Sequence, residues 1–183
     1  MNIIRRFKQF QAATQATISA QDVEFIRKFL DKQQQILFYR MPIFDQRHSC
    51  DVAYRLINKI KTAEVNQGKI SNREDAVVAA LLHDCGKMEV PFSLYGRCFY
   101  VIFKKFLKNI GWSSLVKLGQ NKRSSSLLRN FYVLEFHHLL GAELLKQIGV
   151  KPDVIKMISA HHSGIDLTDS LALNLLKEAD IDI

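Results

Sequence analysis

Apolar positions recur at spacings of three and four along most of the chain, the period of an amphipathic helix rather than the alternation of a strand. Val23, Ile26, Phe29 and Leu30 open such a stripe behind Ser19-Ala20-Gln21-Asp22, and it continues toward Ile36 and Leu37 until Pro42 breaks it. A second helix is predicted from about residues 44–46 to 63, because His48, Val52, Leu56 and Ile60 stand four apart on one side; Asn66-Gln67-Gly68-Lys69 ends it. Ser71-Asn72-Arg73-Glu74 has the form of a capping box. The helix it opens holds the longest apolar run, residues 76–82, and reaches His83-Asp84, where Cys85-Gly86 turns the chain out. Ser124, Ser125 and Ser126 read as a flexible surface loop. A helix over 131–148 is stopped by Gly149. Another starts at Lys151-Pro152-Asp153, with proline in the first turn where no amide donor is needed, and carries His161-His162 to a stop at Gly164. The last, capped by Thr168 or Asp169, runs through Leu171 to Asp180.

Composition narrows the class. The 183 residues are 48% hydrophobic, enough for one sizeable core, and 8 Gly with 3 Pro are too few turn residues for a sandwich of many short strands. The expected fold is all-α, a single-domain helical bundle, with residues 1–43 as an N-terminal helical segment packing on a domain of 44–183. No apolar run approaches the roughly 20 residues that span a bilayer. The basic stretch from Met1 to Phe10 lacks the apolar core and cleavage site of a secretory signal, so a cytoplasmic location is expected. Cys50, Cys85 and Cys98 form no C-x-x-C pair and read as reduced thiols, Cys85 and Cys98 as small packing residues.

The net charge of +8 is unevenly placed. Residues 1–89 carry 14 Lys or Arg against 10 acids, and residues 135–183 carry 4 against 8. Between them, Arg97, Lys104, Lys105, Lys108, Lys117, Lys122, Arg123 and Arg129 have no acid among them. One reading is a core helix with a solvated basic edge. The other is a lid that draws in an anionic substrate, or a surface helix resting on an anionic membrane, which would make the protein peripheral to it. Nucleic acid is not the expected partner, because no recognised binding motif accompanies the charge.

The chemistry is concentrated in the 6 histidines. His48 heads its helix's apolar stripe; His137 shares a face with Gly141, Leu144 and Ile148; Val154, Ile158 and His161 share another; Leu173, Leu176 and Asp180 share a third. A single histidine on an apolar face is ordinarily a satisfied core residue. Several helices each directing an imidazole or a carboxylate inward is a different case, since buried polar groups are costly alone and a shared metal centre satisfies them together. His83 and Asp84 are adjacent, about 100° apart on a helix, so both reach one ion only where the helix ends.

The string Leu82-His83-Asp84-Cys85-Gly86-Lys87 resembles the H-D-I-G-K signature of the HD-domain metal-dependent phosphohydrolase superfamily, with Cys85 in place of the usual aliphatic residue. His48 resembles the upstream first histidine and Ala179-Asp180 the downstream aspartate of the H…HD…D set. His137-His138-Leu139-Leu140-Gly141 and Ala160-His161-His162 resemble the H-x-x-x-G and H-H elements of the branch that includes the HD-GYP phosphodiesterases. The G-Y-P loop is missing, Ser163-Gly164-Ile165-Asp166 standing there instead. Phe44 occupies the place where some members carry a third-metal Glu. The long interval from His83 to His137 reads as an insert of about residues 90–134 between shared helices.

The resemblance implies hydrolysis of a small phosphorylated substrate, a nucleotide or related phosphoester, by a hydroxide bridging two divalent ions. Implied metal ligands are His48, His83, Asp84 and Asp180 for one ion, and Asp84, His137 and His161 for the other. His162 is a ligand or sits just outside them, and His138 is a packing or supporting residue. Asp84 and Lys87 are the implied catalytic residues, Lys87 holding a substrate phosphate or remaining a solvated lysine. Arg97 and Arg55 are weaker candidates for that phosphate. Iron or manganese is the implied metal, while the donor set also accepts zinc, cobalt, nickel or magnesium. The rival reading is a catalytically inactive module that keeps the fold for ligand sensing or protein interaction.

Overall fold

A computed structural model of the chain describes residues 14–67, 70, 72–90, 93–107, 111–162 and 171–181. Among these the secondary structure is helical, with no strand: α1 (Ala20–Phe29), α2 (Lys32–Arg40), α3 (Ile43–Gln67), α4 (Arg73–Leu82), a 3-10 turn (Cys85–Glu89), α5 (Leu94–Leu107), α6 (Trp112–Leu118), α7 (Ser126–Gln147), α8 (Pro152–Ala160) and α9 (Leu171–Ile181). The expected all-α bundle is what forms. None of the described helices is long and apolar enough to cross a membrane.

The helix expected to run unbroken toward Leu37 is instead two. Leu30 is extended, and Asp31 starts α2 with a second capping box: its carboxylate accepts from Gln34 N at 2.9 Å and Gln34 Oε1 accepts from Asp31 N at 3.2 Å. Two reciprocal bonds satisfy orphan donors that a continuous helix would not have exposed. The break turns Ile36 outward, 60% exposed, while Leu37 and Phe38 are buried. Ser19 caps α1, paired with Asp22 in a reciprocal capping box that went unread in the sequence. That carboxylate also takes Arg47 Nη1 at 2.6 Å and Tyr54 Oη at 2.9 Å, which ties α1 to α3.

At α4 the capping expectation changes. Ser71 lies outside the described residues, and Asn72, the residue before the helix, makes no side-chain cap bond. The apolar run of 76–82 is buried all round, since α3 and α8 cover it from different sides. Ser125 and Ser126 are not loop: Ser125 Oγ accepts from Leu128 N and starts α7 well before residue 131. Phe136 leaves helical geometry at φ −113°, ψ 15°, so α7 is kinked just before His137. Beyond the kink Leu145, rather than Leu144, is fully buried beside Gly141. Helix α8 begins with Pro152 as expected, and α9 buries Leu173, Leu175, Leu176 and Ala179. The expected stops and caps at Gly68, Gly164, Thr168 and Asp169 lie outside the described residues.

Two apolar clusters fill the bundle. The larger joins α1–α4, α8 and α9 through residues such as Phe38, Leu56, Leu81, Ile158 and Leu176. The smaller lies within the basic segment, where Tyr100, Trp112, Val116, Phe131 and Leu134 pack α5 and α6 onto the first half of α7. The segment's charge is partly spent inside the fold. Lys104 Nζ reaches Glu135 at 2.7 Å, Arg129 Nη2 reaches Glu89 at 2.6 Å, and the Arg97 guanidinium makes a two-pronged pair with Asp45. Lys108 and the Cys98 side chain are outside the described residues.

Candidate metal centre

Each polar side chain of the centre arrives from a separate element. His48 comes from α3, His83 and Asp84 from the end of α4, His137 from α7 past its kink, His161 and His162 from the end of α8, and Asp180 from the last turn of α9. Both contiguous pairs sit where a helix stops, His83 and His161 being the C-cap residues of their helices. There the chain leaves its helical course, so neighbours otherwise about 100° apart turn toward one point.

The turn after Asp84 packs against α7 at closest approach. A Cβ on Gly86 would stand 2.1 Å from the His137 carbonyl oxygen and 2.6 Å from Gly141 N. Hydrogen at both 86 and 141 lets the segment carrying Asp84 lie directly on the helix carrying His137.

Three imidazoles share one orientation. Nδ1 of His83, His137 and His161 lies 2.8, 2.8 and 2.6 Å from the carbonyl oxygen three residues earlier, of Ala80, Leu134 and Ile158. With Nδ1–H donating to the carbonyl, Nε2 carries the lone pair whenever the ring is neutral. All three Nε2 atoms, and Asp84 Oδ1, are buried and have no hydrogen-bond partner in the protein. His137 Nε2 stands 3.2 Å from Asp84 Oδ1, and His83 Nε2 is 3.6 Å from both Asp84 Oδ1 and Asp180 Oδ1. His48 Nε2 is 3.0 Å from Asp180 Oδ1 and 3.8 Å from Asp84 Oδ2. Lone pairs facing one another in a dry interior are destabilising unless a cation lies among them. The donor set therefore fits a metal.

The ligand atoms form three overlapping groups, each with members within 4.8 Å of one another: His48, His83 and Asp180; His83, Asp84 and His161; His137, His161 and His162. The expected residues thus meet in one place, with His162 in the group of His137 and His161. His138 is in none of the three. Its ring lies 5.9 Å from that of His162 and its buried Nδ1 has no partner, as for a residue that supports the centre from outside.

Charge is sorted across the centre. Burial alone would raise the Asp84 carboxyl, but Lys87, His83 and His137 outweigh it and hold it well below the usual range. Burial likewise opposes ionisation of Asp180, and His48 and His83 overcome it. His83, lowered by burial, is lifted to about 9 by Asp84 and Asp180. Burial keeps His137 and His161 lowered, with Lys87 adding to the first and His83 to the second, and takes His162 to about 4. One side is anionic and the other holds neutral imidazoles, the protonation state in which histidine ligates.

Lys87 Nζ meets Asp84 Oδ2 at 2.5 Å and its side chain is 17% exposed, so the ammonium stands at the rim. Arg97, a weaker candidate for phosphate, is held by Asp45 and over the Phe44 ring at 4.6 Å, one turn before His48. Arg55 is exposed on α3. Cys85 is buried with its thiol pushed up to about 12 by burial first and Asp84 second, which suits a packing residue rather than a nucleophile. Two supporting acids went unread in the sequence. Asp45 anchors Arg97, and Glu135, two residues before His137, gathers Lys104, Tyr100 and Trp112. The only signal for either was an acid within one helical turn of a candidate ligand.

An all-helical bundle that converges imidazoles and carboxylates from its helix ends has the donor set of a helical domain that could hold a metal. The HD domain family matches residues 47–182, and the chain belongs to it. HD domains bind divalent metals, and the family is one of metal-dependent hydrolases. No curated protein and no solved structure matches the chain.

Proposed function

We propose that the protein is a metal-dependent phosphohydrolase or phosphodiesterase acting on a small phosphorylated substrate, a nucleotide or related phosphoester. The observation that carries this reading is the set of buried, unpartnered Nε2 atoms of His83, His137 and His161 around the unpartnered Oδ1 of Asp84. His48, His83 and Asp180 would hold one divalent ion, His137, His161 and His162 a second, and Asp84 stands between them. Such ions, when bound, supply an activated water and neutralise charge on phosphate oxygens. Iron or manganese suits a set rich in imidazole that also contains carboxylates.

The remaining work falls to the chain. The Nδ1 bonds fix each ring so that it cannot rotate away from the centre. Lys87 keeps Asp84 ionised and presents a cation at the rim, where a substrate phosphate arrives. The intact donor set favours a hydrolase over a ligand-sensing or interaction module that has lost activity.

The test is metal analysis with hydrolysis of an aryl phosphodiester after loading with Mn²⁺ or Fe²⁺. Asp84→Ala is expected to abolish both metal retention and turnover, and His138→Ala to leave metal content nearly intact. A protein that takes up neither metal, or an Asp84→Ala variant with full occupancy, overturns the assignment. Full metal occupancy without turnover of phosphoesters would favour the inactive module.

A further inference from the structure

The outer face of α5 carries large apolar side chains that are exposed. Tyr95, Phe99, Ile102 and Phe106 are 74, 48, 57 and 74% exposed. Their spacing of four, three and four places them within about 60° of arc along about 16 Å of helix. The packed side of α5 begins at the edge of this ridge: Tyr100 and Phe103 join Phe131 of α7 at 5.7 Å each, and Phe99 reaches the same ring at 6.5 Å, while Tyr95, Ile102 and Phe106 are more exposed. A continuous ridge of large apolar side chains on a small protein marks an interaction surface.

Charge decides what would cover it. Residues 90–134 contain no acid. Arg97, Lys104 and Arg129 are paired with Asp45, Glu135 and Glu89. Those pairings cancel three of the segment's cations, while Lys105, beside the ridge, and Lys117, Lys122 and Arg123 of the same segment are exposed. A second copy of the chain would set this basic surface against itself across a two-fold axis, which like-charge repulsion opposes. An aromatic and aliphatic ridge flanked by lysine, on a convex helix too short to span, is the pattern of an interfacial helix on an anionic bilayer.

We infer that the Tyr95–Phe99–Ile102–Phe106 ridge of α5 docks the protein on an anionic membrane surface, with its apolar side chains in the interfacial region and the neighbouring basic residues on the headgroups. The inference is independent of the hydrolytic reading, because docking needs neither metal nor turnover.

The experiment is co-sedimentation of the full chain with vesicles of equal parts phosphatidylcholine and phosphatidylglycerol, against phosphatidylcholine alone, at low and high ionic strength. Wild type should bind the anionic vesicles at low salt and bind less as salt screens the lysines. Ile102→Ser with Phe106→Ser should lower the partition coefficient about tenfold, and Lys105→Glu about tenfold at low salt only. Both positions of the double variant are exposed, so its melting temperature should match wild type; Phe106→Ser alone serves if it does not. Absence of binding to anionic vesicles at low salt overturns the inference, as does equal binding by wild type and the serine variants. A wild-type dimer that the serine substitutions convert to monomer assigns the ridge to a second copy instead.

Discussion

Replacing Gly86 by alanine tests the contact that holds the centre together. The added Cβ would lie 2.1 Å from the His137 carbonyl oxygen and 2.6 Å from Gly141 N, both of them helix backbone. Ordinary contact between such atoms is near 3.5 Å, so α7 and the turn must separate by about 1 Å or more. Overpacking a core costs about 1–3 kcal/mol where side chains can give way. Here only backbone can move, which places the expected loss near the top, about 3 kcal/mol. For a chain of this size each kcal/mol lowers Tm by about 2–4 °C, so circular dichroism melts should show a fall of about 6–12 °C. The same separation withdraws His137 Nε2 from Asp84 Oδ1, now 3.2 Å apart, and metal stoichiometry should fall with it. Gly141→Ala meets its nearest atoms, Cys85 Sγ and Gly86 N, only at 3.1 Å and should lose about 1 kcal/mol. Gly149→Asn, at φ 74° with open space around it, should be milder still, since asparagine tolerates the left-handed region. A Gly86→Ala protein melting within about 2 °C of wild type would refute the reasoning.

Asp22, held at about 2 by Ser19, Arg47 and Tyr54 against the opposing effect of burial, is depressed below its unfolded value, so its stabilisation is complete above about pH 4 and lost as pH falls through 2. Asp22→Asn should therefore cost about 2 kcal/mol at pH 7, with the difference from wild type closing toward pH 2 in urea titrations; a pH-independent difference would contradict the linkage. Leu176→Ala, at a fully buried position of α9, should cost about 2–5 kcal/mol and reduce metal retention through Asp180 on the next turn, whereas Ile181→Ala, 65% exposed, should leave melting unchanged; equal effects would mean that α9 is not anchored by its apolar face.

Much of the fold was readable because the same period governs burial and ligation. His48 stands in line with Val52, Leu56 and Ile60, all fully buried, and His161 with Val154 and Ile158, so a stripe that predicts the core also predicts which donors point into it. The break at Leu30 was hidden in a polar stretch. Asp31-x-x-Gln34 is a capping box in structure, but the apolar positions on either side remain close enough to helical spacing to read as one stripe. The start of α7 was missed for a related reason: three serines look like a loop, yet one hydroxyl at the right backbone geometry makes a cap.

The basic segment shows the limit of counting charge along a chain. Its acids are supplied from elsewhere, Arg97 reaching 52 residues to Asp45, Arg129 reaching 40 to Glu89 and Lys104 reaching 31 to Glu135. Local net charge reported an excess that the fold partly cancels, and only packing identifies which cations remain at the surface. The triple bond set on Glu135, with Tyr100 at 2.5 Å and Trp112 at 3.3 Å, joins the smaller cluster to α7 one residue before its kink.

The H-x-x-x-G spacing has a mechanical meaning once the turn after Asp84 is seen against α7. Residues four apart lie on one face of a helix, one turn from each other. At the upper position His137 projects a donor into the centre, and at the lower one Gly141 removes the side chain that would hold the incoming turn away. Gly86 does the same from the other side, so the carboxylate of Asp84 arrives within 3.2 Å of the imidazole. Neither glycine is needed here for an unusual backbone angle, since positive φ among the described glycines occurs at Gly111 and Gly149. What the motif specifies is distance: a histidine supplies one donor, and a glycine one turn away admits the segment that carries the next.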